Sequence, residues 1–213
     1  MKKIISLLLV VLLITGCNKE SVTKSSQIPS KINSTDNDPI TSPINTLNLD
    51  EYMFREDVQY VDLRSSRMVL EEGYVAGFEF IPFYNVVASF SEKSALYQMK
   101  RTTDNEGNVY FAGEIGGFVA QFEESQTVIE TLFDKNKYIF FISQGGTECG
   151  YMINLLIQLG YNSKLLYNVG GVSNSEGVAS YRSIETNKYY VSGIGDFGVD
   201  VSYDYFENLT PIN

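Results

Sequence analysis

The chain has 213 residues, 44% apolar and 13% aromatic, with 16 basic against 26 acidic side chains and a net charge of -10. Its length holds one domain with a full core and appendages, and its charge is repelled at long range by nucleic acid and anionic lipid, so neither is expected as a partner. There is no histidine, which removes the usual general base and the commonest zinc ligand; neither a metal site nor a cofactor is expected.

The opening MKKIISLLLVVLLITGC carries Lys2 and Lys3, an apolar run from Ile4 to Ile14 and small residues before Cys17. Such a run is too short to span a bilayer and reads as a secretory signal over residues 1–16. Ile14-Thr15-Gly16-Cys17 resembles a bacterial lipobox, which implies a lipidated Cys17 and a protein anchored on the extracytoplasmic face of a bacterial cell membrane. Loss of Lys2 and Lys3 takes the basic count from 16 to 14 and the net charge from -10 to -12. Cys149 is then the lone thiol, and no intrachain disulfide is possible. Residues 17–46 are rich in Ser, Asn, Thr and Pro; they read as the lipidated cysteine and a flexible tether with a reach of about 30 Å.

Leu47 to Phe54 suits a short helix capped by Asn48 or Asp50, and Val58 to Leu63 a buried strand that ends on Asp62 and Arg64. The Asp-x-Arg pair reads either as an ion pair that fixes the next loop or as support for a site. A helical turn over Met68 to Glu72 and a strand over Phe78 to Ile81 follow, with Pro82 as punctuation. In the stretch of about 84–124, Leu96 to Thr102 and Asn108 to Ala112 flank Asp104-Asn105-Glu106-Gly107, which reads as a β-hairpin. Ser125 to Asp134 suits a helix with Ser125 as its cap.

The densest pattern is YIFFISQGGTECGYMINLLIQLGYNSKLLYNVGGV, from Tyr138 to Val172. Tyr138 to Ile142 is a buried strand by composition, Met152, Ile153, Leu155, Leu156 and Leu159 recur at helical spacing, Gly160 stops the helix, and Lys164 to Asn168 is a second strand before Gly170 and Gly171. This is a βαβ unit. Its loop, Ser143-Gln144-Gly145-Gly146-Thr147-Glu148, turns backbone N–H groups toward one point at a helix N-terminus, a seat for an anion.

These residues resemble the active-site half of rhodanese-like sulfurtransferase domains, in which a strand ends in Cys-x-x-Gly-x-Arg-Ser, followed by a helix, Gly-Phe/Tyr, a strand and Gly-Gly. Ser143 stands at the family's cysteine, Gly146 at its glycine, Glu148 at its arginine and Cys149 at its serine, while Gly160, Tyr161, Gly170 and Gly171 keep register. Tyr60 to Pro82 is similar to the family's Asp-x-Arg…Gly-His-Ile-Pro-Gly-Ala…Ile-Pro segment through Asp62, Arg64, Gly73, Gly77, Ile81 and Pro82, with Tyr74 and Ala76 in place of His and Pro. The resemblance implies an α/β fold, a small parallel sheet with helices on both faces, over residues 47–175. It is extended by the inserted hairpin and by a C-terminal β extension over 176–213.

In a working member the loop cysteine carries sulfur as a persulfide. Ser143 does not replace it, because a hydroxyl without a base stays protonated where a thiol at a helix N-terminus ionises. Glu148 at roughly 5 Å from the seat repels an anion by about 3 kcal/mol at an effective dielectric of about 20. The residues therefore point to an anchored binding module that holds a partner protein or small ligand at the loop rim and hairpin. The alternative is a sulfurtransferase or thiol-redox protein acting through Cys149, and hydrolysis through Ser143 is a third reading. In the extension, Lys188 to Ser192 and Val199 to Tyr205 suit strands that pair with the hairpin. Gly193-Ile194-Gly195-Asp196-Phe197-Gly198 matches a dinucleotide fingerprint without the helix it needs, and Asp196, Asp200 and Asp204 lack calcium-loop spacing.

Overall fold

The computed structural model describes residues 27–33, 36–91, 93–111, 113–173, 180–194 and 208–212. The signal segment, Cys17, the glycine fingerprint beyond Ile194, the three spaced aspartates and the Val199 to Tyr205 strand lie outside the described residues. In chain order the elements are β1 (Val58–Asp62), α1 (Ser66–Glu72), β2 (Gly73–Val75), β3 (Glu79–Phe80), β4 (Ala88–Ser89), β5 (Tyr97–Met99), β6 (Arg101–Thr103), β7 (Val109–Phe111) and β8 (Phe118–Ala120). They are followed by α2 (Ser125–Leu132), β9 (Tyr138–Ser143), α3 (Thr147–Gln158), β10 (Leu166–Gly171) and β11 (Tyr190–Ser192).

The fold is α/β. Four parallel strands in the order β10-β9-β1-β3 form the central sheet. Both neighbours of the central pair are reached by crossovers, so the β9-α3-β10 unit read from the sequence is present as one βαβ turn of the chain. Alternation along β9 sends Ile139 and Phe141 to one face and Phe140 and Ile142 to the other, and all four are fully buried. The first face packs on Ile129 and Phe133 at α2 and on Met152, Ile153, Leu155 and Leu156 of α3. The second face is covered by shorter pieces: Leu49 and Tyr52 of a 3-10 turn, Val75, Phe78, Tyr181 of another 3-10 turn, and Ile28 and Ile44.

That last pair corrects one expectation. Residues 27–33 and 36–46 belong to the segment read as a flexible tether, yet Ile28, Ile44 and Thr46 are buried and Ile44 has no exposed surface. One sheet face lacks a long helix, and this strap supplies the apolar cover instead. The polar composition of the segment is satisfied by short-range bonds: Asp36 Oδ2 accepts from Thr41 Oγ at 2.6 Å, Ser42 Oγ donates to the Ile44 carbonyl at 2.7 Å, and Asn48 Oδ1 accepts from the Asn45 N–H at 2.9 Å.

Three smaller differences have local causes. The expected Leu96 to Thr102 strand divides at Lys100, whose N–H goes to the Gly117 carbonyl; β5 joins a three-stranded sheet in the order β4-β5-β8, and only β6 pairs with β7. Ser125 is the first residue of α2 rather than its cap, and its buried hydroxyl accepts from the Phe122 N–H and donates to the Leu96 carbonyl. β11 pairs antiparallel with β2 rather than with the hairpin.

Candidate functional site

β9 delivers Ser143 to the end of the central sheet, where Gly146 takes φ +95°, a left-handed conformation that a side chain would strain, and α3 begins. The Ser143 hydroxyl is fully buried and accepts from the Gly146 N–H at 2.8 Å. It is bound inside the loop, not presented at its mouth. The Ser143 and Gln144 carbonyls accept from the Val172 and Ser173 N–H groups at 2.9 and 3.0 Å, so the loop is stitched to the chain that leaves β10. A Cβ on Gly171 would lie 2.4 Å from the Gln144 carbonyl oxygen, which explains the second glycine of the pair as a close backbone approach.

Cys149, in the first turn of α3, is also fully buried, and its sulfur lies 3.9 Å from the Gly170 carbonyl oxygen. Burial pushes the thiol well above its ordinary value; contact with Ser143 opposes this, and the charges of Glu148 and Asp62 add to it. Those charges are both negative, so the helix N-terminus alone does not supply the electropositive setting a reactive thiolate needs. Gln144 and Thr147 are exposed and Glu148 and Gly145 are half-buried. These four make the rim of the loop. Burial pushes the Tyr84 phenol up to about 12, and the charge of Glu148 adds to it. Tyr84 leads on to Phe90 at 5.5 Å between ring centroids and Phe90 to Phe111 at 4.2 Å, so an aromatic chain joins the loop rim to the inserted hairpin.

Asp62 and Arg64 meet below the loop as a buried pair. Arg64 Nη2 and Nε bond the Asp62 carboxylate at 2.7 to 3.1 Å, and Nη2 also donates to the Gly73 carbonyl at 2.8 Å. Arg64 Nη1 makes no hydrogen bond among the described residues and lies 3.6 Å from Glu72 Oε2, which accepts from the Ser173 hydroxyl at 2.7 Å. The pair thus clamps the ends of β1 and α1 to the chain beyond β10.

Sequence reading missed two residues of the site. Asn168 is buried within β10 at the register shift between Asn168 and Gly170; its amide donates to the Gly146 and Asn37 carbonyls at 2.9 and 2.7 Å, and its Oδ1 accepts from the Gly170 N–H at 3.1 Å. A lone polar residue inside LLYNVGGV was the available signal. Pro39 of the strap is the other: its ring carbon lies 3.0 Å from where a Gly146 Cβ would be, so the strap roofs one side of the loop. No local signal marks it. Asn37 Nδ2 also donates to Asn154 Oδ1 at 2.5 Å, and Asn154 donates to the Gly113 carbonyl at 2.6 Å, which ties strap, α3 and insertion together. A cleft of about 830 Å³, lined by residues such as Arg55, Gln59, Glu79 and Lys137, opens at the opposite end of the strands and holds none of these groups. No helix among the described residues is long and apolar enough to cross a membrane. No family model, curated protein or solved structure matches the chain.

Proposed function

We propose that the chain is a membrane-anchored, rhodanese-like lipoprotein that lacks sulfurtransferase activity and serves as a binding module on the extracytoplasmic face of a bacterial membrane. The reading is carried by one observation: neither side chain that would handle sulfur is available to do so. The Ser143 hydroxyl is fixed to the Gly146 N–H inside the loop, and Cys149 is buried with its thiol held protonated. What remains accessible is the rim of Gln144, Thr147 and Glu148 beside the ring of Tyr84, a surface suited to holding a partner protein or small ligand.

The test offers thiosulfate and cyanide to protein that keeps residues 27–213, so that the strap is retained, with Cys149→Ser alongside. No thiocyanate is expected from either. Thiocyanate formed by the parent and lost in the variant overturns the reading. A disulfide reagent should leave Cys149 unmodified in the native state and modify it after denaturation. The double variant Ser143→Cys with Glu148→Arg is the complementary trial, since sulfur transfer gained there supports an intact scaffold stripped of its chemistry.

A further inference from the structure

The first residues of the strap, Pro29 to Ile32, meet the domain at the starting ends of β9 and β10, the end opposite the loop that Pro39 roofs. The Tyr167 hydroxyl donates to the Pro29 carbonyl at 3.0 Å, and Ser30, Lys31 and Ile32 line a cleft of about 530 Å³ together with Tyr138, Asn162 and Lys164. Its walls carry Lys31 and Lys164 and no carboxylate, although the Lys31 ammonium also lies 3.5 Å from Asn37 Oδ1 and from the Ser163 carbonyl oxygen and feels the charge of Asp36. Ile32, also on the lining of this cleft, is 100% exposed. An apolar side chain flanked by lysine stems and tyrosine rings is the composition that rests at a lipid–water boundary, with the ammonium groups reaching the headgroups.

The chain leading to this place is short. Ten residues run from Cys17 to Ser26, which reach at most about 35 Å. We infer that the cleft at the base of β9 and β10, with Ile32, Lys31 and Lys164, rests against the phosphate headgroups of an anionic bilayer and turns the loop rim away from the membrane. The inference rests on the anchored reading above and adds an orientation to it. The net charge of -12 left once Lys2 and Lys3 are removed from the -10 of the full chain does not oppose this contact. Anchoring supplies the attachment, charges more than about 8–10 Å from the surface are screened, and repulsion of the acidic remainder favours the same orientation. By strand rise, Ser143 stands about 17 Å beyond Tyr138 along β9, so the rim faces solvent. Burial lowers the Lys31 ammonium to about 8; a phosphate in the cleft would raise it again.

The test uses the full lipidated chain in phosphatidylcholine vesicles with and without phosphatidylglycerol. Ile32→Cys and Gln144→Cys are each labelled with an environment-sensitive fluorophore, and quenching by lipids spin-labelled near the headgroup is measured. Quenching is expected at position 32 in the anionic vesicles and none at 144. Lys31→Glu with Lys164→Glu in the Ile32→Cys background should reduce it at least about threefold while the protein stays vesicle-bound. Quenching at 144 equal to or above that at 32, or no effect of the charge reversal, overturns the orientation. So does loss of quenching in inorganic phosphate against chloride of equal ionic strength, which would make the cleft a free-phosphate site. A chain whose mass shows no lipid on Cys17 overturns the anchored reading and the orientation with it, whereas a lipidated chain quenched at 144 overturns the orientation alone.

Discussion

The two faces of the central sheet reach the same degree of burial by different means. On one, α2 and α3 present apolar residues at helical spacing, and Ile129, Ile153 and Leu156 have no exposed surface. On the other, a strap of irregular chain and two 3-10 turns bring Ile28, Ile44, Leu49 and Tyr181 onto Phe140, Ile142 and Tyr167. A sheet face requires removal of its apolar surface from water, not a particular element to do so. The strap meets the helix-covered half of the molecule at the loop, where Pro39 and Asn37 touch Gly146 and Asn168.

The sharpest way to break this comparison is at the clamp beneath both coverings. Asp62→Ala leaves the buried Arg64 with the Gly73 carbonyl and, as its carboxylate, Glu72 at 3.6 Å and is expected to cost about 3–5 kcal/mol in denaturant unfolding, against near-neutral behaviour for a solvated pair. Next is the equivalence of the faces. Ile44→Ala in the strap and Ile153→Ala in α3 each empty a fully buried position and should each cost about 2–5 kcal/mol; a strap variant below about 1 kcal/mol would make the strap a dispensable tail. At the loop, Ser143→Ala leaves the Gly146 N–H without its acceptor and should cost about 1–3 kcal/mol. Thermal unfolding measures it.

The smallest effect separates the faces by pH. Lys31 is lowered from 10.5 to about 8 by burial in the strap, so the unfolded chain binds more protons there and stability should rise as pH climbs from about 8 toward 10.5. Lys31→Met removes that rise, as paired melts across the window would show. Tyr60, Tyr97, Tyr161 and Tyr167, raised by burial from 10.0 to about 12, act in the opposite sense: their contribution is complete below pH 10 and is lost toward 12 in parent and variant alike.

The sequence by itself determined the β9-α3-β10 unit, the β1 strand with its Asp62 and Arg64 end and the turn of the inserted hairpin, because periodicity and glycine placement are local properties that the backbone enforces wherever it goes. Of the site, it placed Ser143, Glu148 and Cys149 on one loop and one helix start. Tertiary structure alone decided that Ser143 turns inward to Gly146 and that Cys149 lies under the loop rather than in it. It also decided that a polar segment, by composition a tether, covers a sheet face and roofs the loop. Ile28, Pro39 and Ile44 are too sparse along the chain to signal their packing, and each meets a surface to which residues about a hundred or more positions away contribute, such as Phe140, Gly146 and Tyr167. Long-range complementarity of that kind leaves no local periodicity to read.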